Sequence, residues 1–157
     1  INAINQISTF HCFLKIKITT HQFEDRDIIA YAEEGNDAVV QVFFVRNGKL
    51  IGREHFYLTT VPGDTGKDIL TSFIKQYYIG TPFIPRELLV QEEVEEPELL
   101  SQLLSRNQNY TVRIVNPKKG SKEKLVELAA KNAGNLLEQN KEKYRREQKR
   151  TVGAVDS

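Results

Sequence analysis

The sequence contains one cysteine, Cys12, among its 157 residues. No disulfide can close within the chain, and nothing argues for an oxidising compartment, so a cytoplasmic protein is expected. No apolar run approaches the roughly 20 residues that a membrane-spanning helix requires, and no membrane partner is expected. The start, Ile1 to Thr20, carries an apolar patch at Phe10 to Leu14. It lacks the basic flank and small-residue cleavage site of a secretory leader. The first residue is Ile rather than Met, which points to a piece of a longer polypeptide. Histidine is scarce as well. His11, His21 and His55 show no CxxC or HxxxH spacing with Cys12 or with one another, so they are read as surface or satisfied side chains and no metal site is expected. Internal repeats and low-complexity tracts are also missing.

What is present is enough apolar sequence for one domain: 39% hydrophobic residues beside 27% charged ones. The net charge of +1 conceals a division. Residues 1–117 carry 11 Lys and Arg against 15 Asp and Glu, whereas residues 118–157 carry 11 against 6. A basic terminal segment on an acidic body is a footprint of nucleic-acid contact; the plainer reading is a solvated helix face.

Asp27 to Ala32 is a short apolar run of strand character, and Glu34 to Asp37 supplies turn residues. Ala38 to Arg46 is a β-branched and aromatic strand, followed by Asn47-Gly48, two residues that tolerate positive φ and mark a tight hairpin. Lys49 to Leu58 returns antiparallel. The period then changes. Thr65 and Asp68 have capping-box spacing, and Ile69, Leu70, Phe73, Ile74, Tyr77 and Tyr78 form a helical stripe that Gly80 ends. Glu87 to Gln91 fits a short buried strand, and Pro97 suits the first turn of a helix bearing Leu99, Leu100, Leu103 and Leu104. Tyr110 to Val115 is a further strand. From Ser121 a helix is predicted to about Arg150, its polar end from Asn140 onward projecting from the domain or docking elsewhere. The fold class is therefore α/β, an α+β mixed sheet in the order β-β-β-α-β-α-β-α with a long C-terminal helix. That order is also the ribonuclease H-like one, an analogy that says nothing of activity.

Five stretches together resemble the UvrC family: Asp25-Arg26-Asp27 leading into IIAYA, Val40 to Phe56, Phe73 to Tyr78, Pro82 to Leu89, and Pro117 to Asn132. They keep the family's order and spacing over roughly residues 24–155, leaving 1–23 as a poorly assigned segment. The resemblance implies residues 24–139 as a ribonuclease H-like domain and 140–157 as a polar helical extension. It also implies a parent excision endonuclease of nucleotide excision repair, with a GIY-YIG module cutting 3′ of a lesion and a later ribonuclease H-like core cutting 5′. This chain corresponds to the stretch after the UvrB-binding segment and before that core. The implied partners are damaged duplex DNA, bound without sequence preference, and, through the parent, UvrB and the UvrA-loaded complex. Mg²⁺ is implied for the parent's nuclease domains and no cofactor for this piece.

The chemistry can be tested residue by residue. Tyr78-Ile79-Gly80 spells YIG, but no GIY lies upstream, and these residues close an amphipathic helix. Two-metal hydrolysis requires clustered carboxylates. Asp27 stands at the start of the first strand and Glu33 beyond its end, Asp68 caps the first helix, and Glu92 and Glu93 follow the fourth strand. That pattern predicts a catalytically silent domain with no catalytic residues; a Mg²⁺ nuclease using Asp27, Asp68 and Glu92 is the competing reading. The run Glu92 to Glu98 is read as a solvated loop and helix start. The predicted functional residues are basic. Lys118, Lys119, Lys122 and Lys124 surround a Pro117–Gly120 turn at a helix N-terminus, where free N–H groups favour an anion. Lys131, Arg145 and Arg146 extend the strip as DNA phosphate contacts. The alternative is a protein-interaction domain that docks on other parts of the parent or on UvrB without touching DNA.

Overall fold

The computed structural model describes residues 25–156, with 150–156 as backbone only. Strand β1 (Arg26–Glu34) turns through Gly35-Asn36 into β2 (Asp37–Arg46), and β2 turns through Asn47-Gly48 into β3 (Lys49–Thr59). Asn47 and Gly48 take φ of 53° and 75°, the positive values that let a two-residue turn match the twist of its strands. Helix α1 (Gly66–Tyr78) follows, then β4 (Glu87–Val90), helix α2 (Pro97–Ser105), β5 (Arg113–Val115) and helix α3 (Gly120–Asp156). The predicted order is the observed one. The sheet runs β3-β2-β1-β4-β5: the first three strands are antiparallel neighbours, and β4 and β5 lie parallel to β1.

Both faces of the sheet are covered, which is why β2 reads as almost unbroken Val and Phe rather than alternating. On one face Ile29, Val40, Val42, Leu88 and Val90 pack against Leu70, Phe73, Ile74 and Leu100 of α1 and α2. On the other, Ile28, Ala30, Phe43, Val45 and Leu89 pack against Leu125, Val126 and Ala129 of α3. Helix α1 starts on the predicted capping box: Thr65 Oγ1 accepts from the Asp68 N–H, and Asp68 accepts from the Thr65 N–H at 2.9 Å.

Several element ends differ from the sequence reading by a residue or more; β1, for one, reaches Glu34 rather than Ala32. β4 stops one residue early because the Gln91 side chain, not its backbone, takes the Tyr31 N–H at 2.8 Å. β5 begins at Arg113 rather than Tyr110, since the Val112 N–H is taken by Ser105 Oγ at 2.7 Å and the Tyr110 hydroxyl donates to the Ile84 carbonyl. α3 runs to Asp156, past the predicted Arg150, and from Glu142 to Lys149 every side chain is exposed. Among the described residues no helix is long and apolar enough to cross a membrane.

Candidate nucleic-acid interface

Glu87 and Leu89 point to the α3 side of the sheet while Leu88 and Val90 point to the other, as strand alternation requires. Glu87 is 1% exposed and would be a costly buried charge if alone. It is not alone. Its register partners are Arg26 on β1 and Arg113 on β5. Arg26 Nε stands 3.2 Å from Glu87 Oε1, and Arg113 Nη2 3.1 Å from Oε2. Lys122, from the first turns of α3, completes the group at 3.1 Å from Oε1. Thus one buried carboxylate ties three parallel strands to the start of the long helix.

The lysines around that helix start divide accordingly. Lys122 lies beside the stripe of Val126 and Ala129, four and seven residues on, and its ammonium reaches Glu87 while the side chain stays 39% exposed. With the Asn116 amide turned so that Nδ2 donates to the Val90 and Gln91 carbonyls, Lys118 Nζ donates to its Oδ1 at 3.0 Å. Lys119, Lys124 and Lys131 are exposed. Lys124, Lys131 and Arg145 are separated by multiples of seven residues, close to whole helical turns, so they share the outer face of α3. Glu138 shares that row, so the strip is basic but interrupted. Arg146, also exposed, lies 3.7 Å from Glu142 one turn back, a surface pair of little consequence.

The acidic candidates are scattered. Asp27 is 1% exposed, with Arg46 Nη1 at 2.8 Å and the Tyr78 hydroxyl donating to it at 2.6 Å. Burial drives its pKa upward, and Arg46 and Tyr78 oppose that rise. Tyr78, fully buried beside this carboxylate, has its own pKa pushed well up, first by burial. The YIG tyrosine is thus a core residue, and Gly80, with φ of 89°, follows the end of the helix. Glu92 accepts a hydrogen bond from the Tyr31 hydroxyl at the far end of β1. β1 and β4 are in parallel register, Asp27 beside Leu88 and Ile29 beside Val90, which places Glu92 level with Tyr31. Four strand residues, ~13 Å, therefore separate it from Asp27. Asp68 is bound up in the α1 cap, and hydrogen bonds from Thr65, its backbone N–H first, hold its pKa low. Glu93 is exposed. Among the described residues no group of three or more His, Cys, Asp or Glu side chains is placed to hold a metal ion. His55 sits exposed on β3 against Tyr57, ring centroids 5.3 Å apart; His11, His21 and Cys12 lie outside the described residues.

Sequence reasoning passed over Glu87 and Arg26. Their signal was there: a Glu opening an otherwise apolar strand, and an Arg just before another, both facing the core side.

The family model for the UvrC Ribonuclease H-like domain matches residues 25–140. The chain is 54% identical over 141 residues to UvrABC system protein C of Lachnospira eligens, covering 90% of this chain and 23% of that protein. It is 44% identical over 131 residues to that of Alkaliphilus metalliredigens, covering 83% and 21%. Against that of Clostridioides difficile it is 41% identical over 132 residues, covering 84% and 22%. The chain spans less than a quarter of the length of these curated relatives. With its five-stranded mixed sheet and long final helix, the chain belongs to the UvrC ribonuclease H-like domain family.

Proposed function

We propose that this chain is a non-catalytic scaffold and DNA-positioning domain of a nucleotide excision repair subunit. In this reading the parent incises DNA on both sides of a lesion in the cytoplasm, working with UvrB and a UvrA-loaded complex and using Mg²⁺ in its nuclease domains. Residues 24–139 form the domain, and 140–157 carry the chain towards the part that cuts. The single observation that carries the reading is the division of charge at the start of α3 and along it: Lys122 pairs with a buried carboxylate, while Lys119, just before the helix, and Lys124, Lys131, Arg145 and Arg146 on it stay on the surface. These, with Lys118, would hold backbone phosphates, giving binding that ignores base sequence. The carboxylates that a metal-dependent nuclease would need are engaged elsewhere, Asp27 by Arg46 and Tyr78 and Asp68 by its cap.

The test is fluorescence anisotropy with duplexes of unrelated sequence, on the chain and on a Lys119→Glu/Lys124→Glu/Lys131→Glu variant. Similar affinity for all duplexes, lost on charge reversal, supports the reading. An unchanged affinity in the variant removes it.

One observation favours a second reading, docking on another protein surface. Tyr144, on the polar end of α3, is 63% exposed, and tyrosines with one wet end are enriched at interfaces. Binding to UvrB or to other parts of the parent that falls in Tyr144→Ala, with DNA affinity intact, would select it.

A further inference from the structure

Along the outer face of α3 the charges fall into three blocks. Ala129, Ala133 and Leu137 mark the buried side of the helix, and Lys124 stands opposite them. Within about 60° of the line through Lys124, the first block is Lys124 and Lys131, with Glu127 at its edge. The second is Asn135, Glu138 and Glu142, without a cation. The third is Arg145, Arg146 and Lys149. All of these side chains are exposed. The two lysines that fall within the second block in sequence face elsewhere. Lys141 pairs with Glu34 at the end of β1, and Lys143 points about 100° round the helix.

A helix face that meets only water alternates its signs from turn to turn. Here like charges are neighbours: Glu138 and Glu142 are one turn apart, as are Arg145 and Lys149, and such pairs cost helix stability. Arg146, 3.7 Å from Glu142, offsets part of that. The spacing of the blocks suits a duplex. The fourteen residues from Lys131 to Arg145 rise about 21 Å along the axis. A single strand laid along the helix would carry phosphates past Glu138 and Glu142 as well as past the cations, and like charges brought together are repelled. Duplex DNA laid across the helix presents phosphates at the rims of a groove and none between. A major groove is roughly 12 Å wide and a minor groove roughly 6 Å. With the phosphate groups on its rims and the basic side chains leaning inward, the wider groove fills the gap; the narrower falls short.

We infer that α3 bridges the major groove of a DNA duplex. Lys124 and Lys131 take phosphates of one strand, and Arg145, Arg146 and Lys149 take those of the other. Glu138 and Glu142 lie over the groove between and keep a single strand off the helix. The inference rests on the DNA-contact reading above and adds its geometry. The experiment uses the whole chain and two duplexes of one sequence, the first with phosphates throughout, the second with methylphosphonates replacing the phosphates of one strand. On the first, Lys124→Ala/Lys131→Ala should weaken binding roughly tenfold at low salt. On the second only one strand can be held, and the block of three cations holds it. There the variant should bind within about twofold of the wild-type chain. Both substitutions fall at exposed helical positions that favour alanine, so the fold is kept. Weakening by the same factor on both duplexes would put all the contacts on one strand and overturn the bridge. So would a variant that binds the first duplex as tightly as the wild-type chain does. A wild-type chain that binds neither duplex defeats the DNA-contact reading itself, and the bridge with it, and leaves the basic blocks to an acidic protein surface.

Discussion

Lys122 Nζ lies 3.1 Å from Glu87 Oε1, joining the start of the long helix to a carboxylate buried between β1 and β5. This contact divides a cluster of lysines that looks uniform in sequence. Lys122→Ala should lower the melting temperature and leave duplex affinity within about twofold. With Arg26 and Arg113 still on Glu87, the expected loss of stability is about 1–2 kcal/mol. Thermal melts and anisotropy on the same sample check both halves; a stable variant with weakened DNA binding would put Lys122 on the outer surface.

Glu87→Gln should cost more. It removes the charge that compensates Arg26, itself 2% exposed, and leaves a guanidinium in the core. Breaking a buried pair from one side costs about 3–5 kcal/mol. Urea unfolding gives the value, and a loss below about 1 kcal/mol would mean that Arg26 reaches solvent.

Asp27 gives a pH dependence with a definite sign. Its folded pKa lies above its ordinary value, so the folded chain binds this proton more tightly than the unfolded one. Its contribution to stability is present in full below the usual carboxylate pKa of ~3.9 and is lost as pH rises through the folded value. The stability of the wild-type chain relative to Asp27→Asn should therefore fall with rising pH across that window and then level off. Denaturant melts at a series of pH values measure it. A difference that grows with pH would show that Arg46 and Tyr78 outweigh burial.

Gly66 opens α1 against Tyr31 and Glu92, and a Cβ there would run into the Tyr31 hydroxyl and the Glu92 carboxylate. Gly66→Ala should destabilise by about 1–3 kcal/mol although alanine is the better helix former. Tyr31→Phe in the same chain should restore part of the loss, and a double-mutant cycle reads the coupling.

Local chemistry made much of the fold legible. Asn47-Gly48 fixed a hairpin, Thr65 and Asp68 a helix start, and Pro97 another, because each acts within a few residues. The site was less legible because its contacts are distant in sequence. Asp27 finds Arg46 nineteen residues away and Tyr78 fifty-one away, and Glu87 meets Lys122 thirty-five residues on. Lys122 is the instructive case. Its spacing from Val126 and Ala129 sets its stem beside the buried stripe and its ammonium against Glu87, a contact that charge alone does not reveal.

In the proposed reading, DNA phosphates lie along the outer face of α3 and against the lysines just before it. The decisive measurement is the salt dependence of duplex affinity for the chain and for a Lys118→Ala/Lys119→Ala/Lys124→Ala/Lys131→Ala variant. Each lost phosphate contact should flatten the plot of log affinity against log salt by about 0.9, so the variant's slope should be shallower by roughly 3–4 at an unchanged melting temperature. Parallel plots for the two proteins would contradict the account.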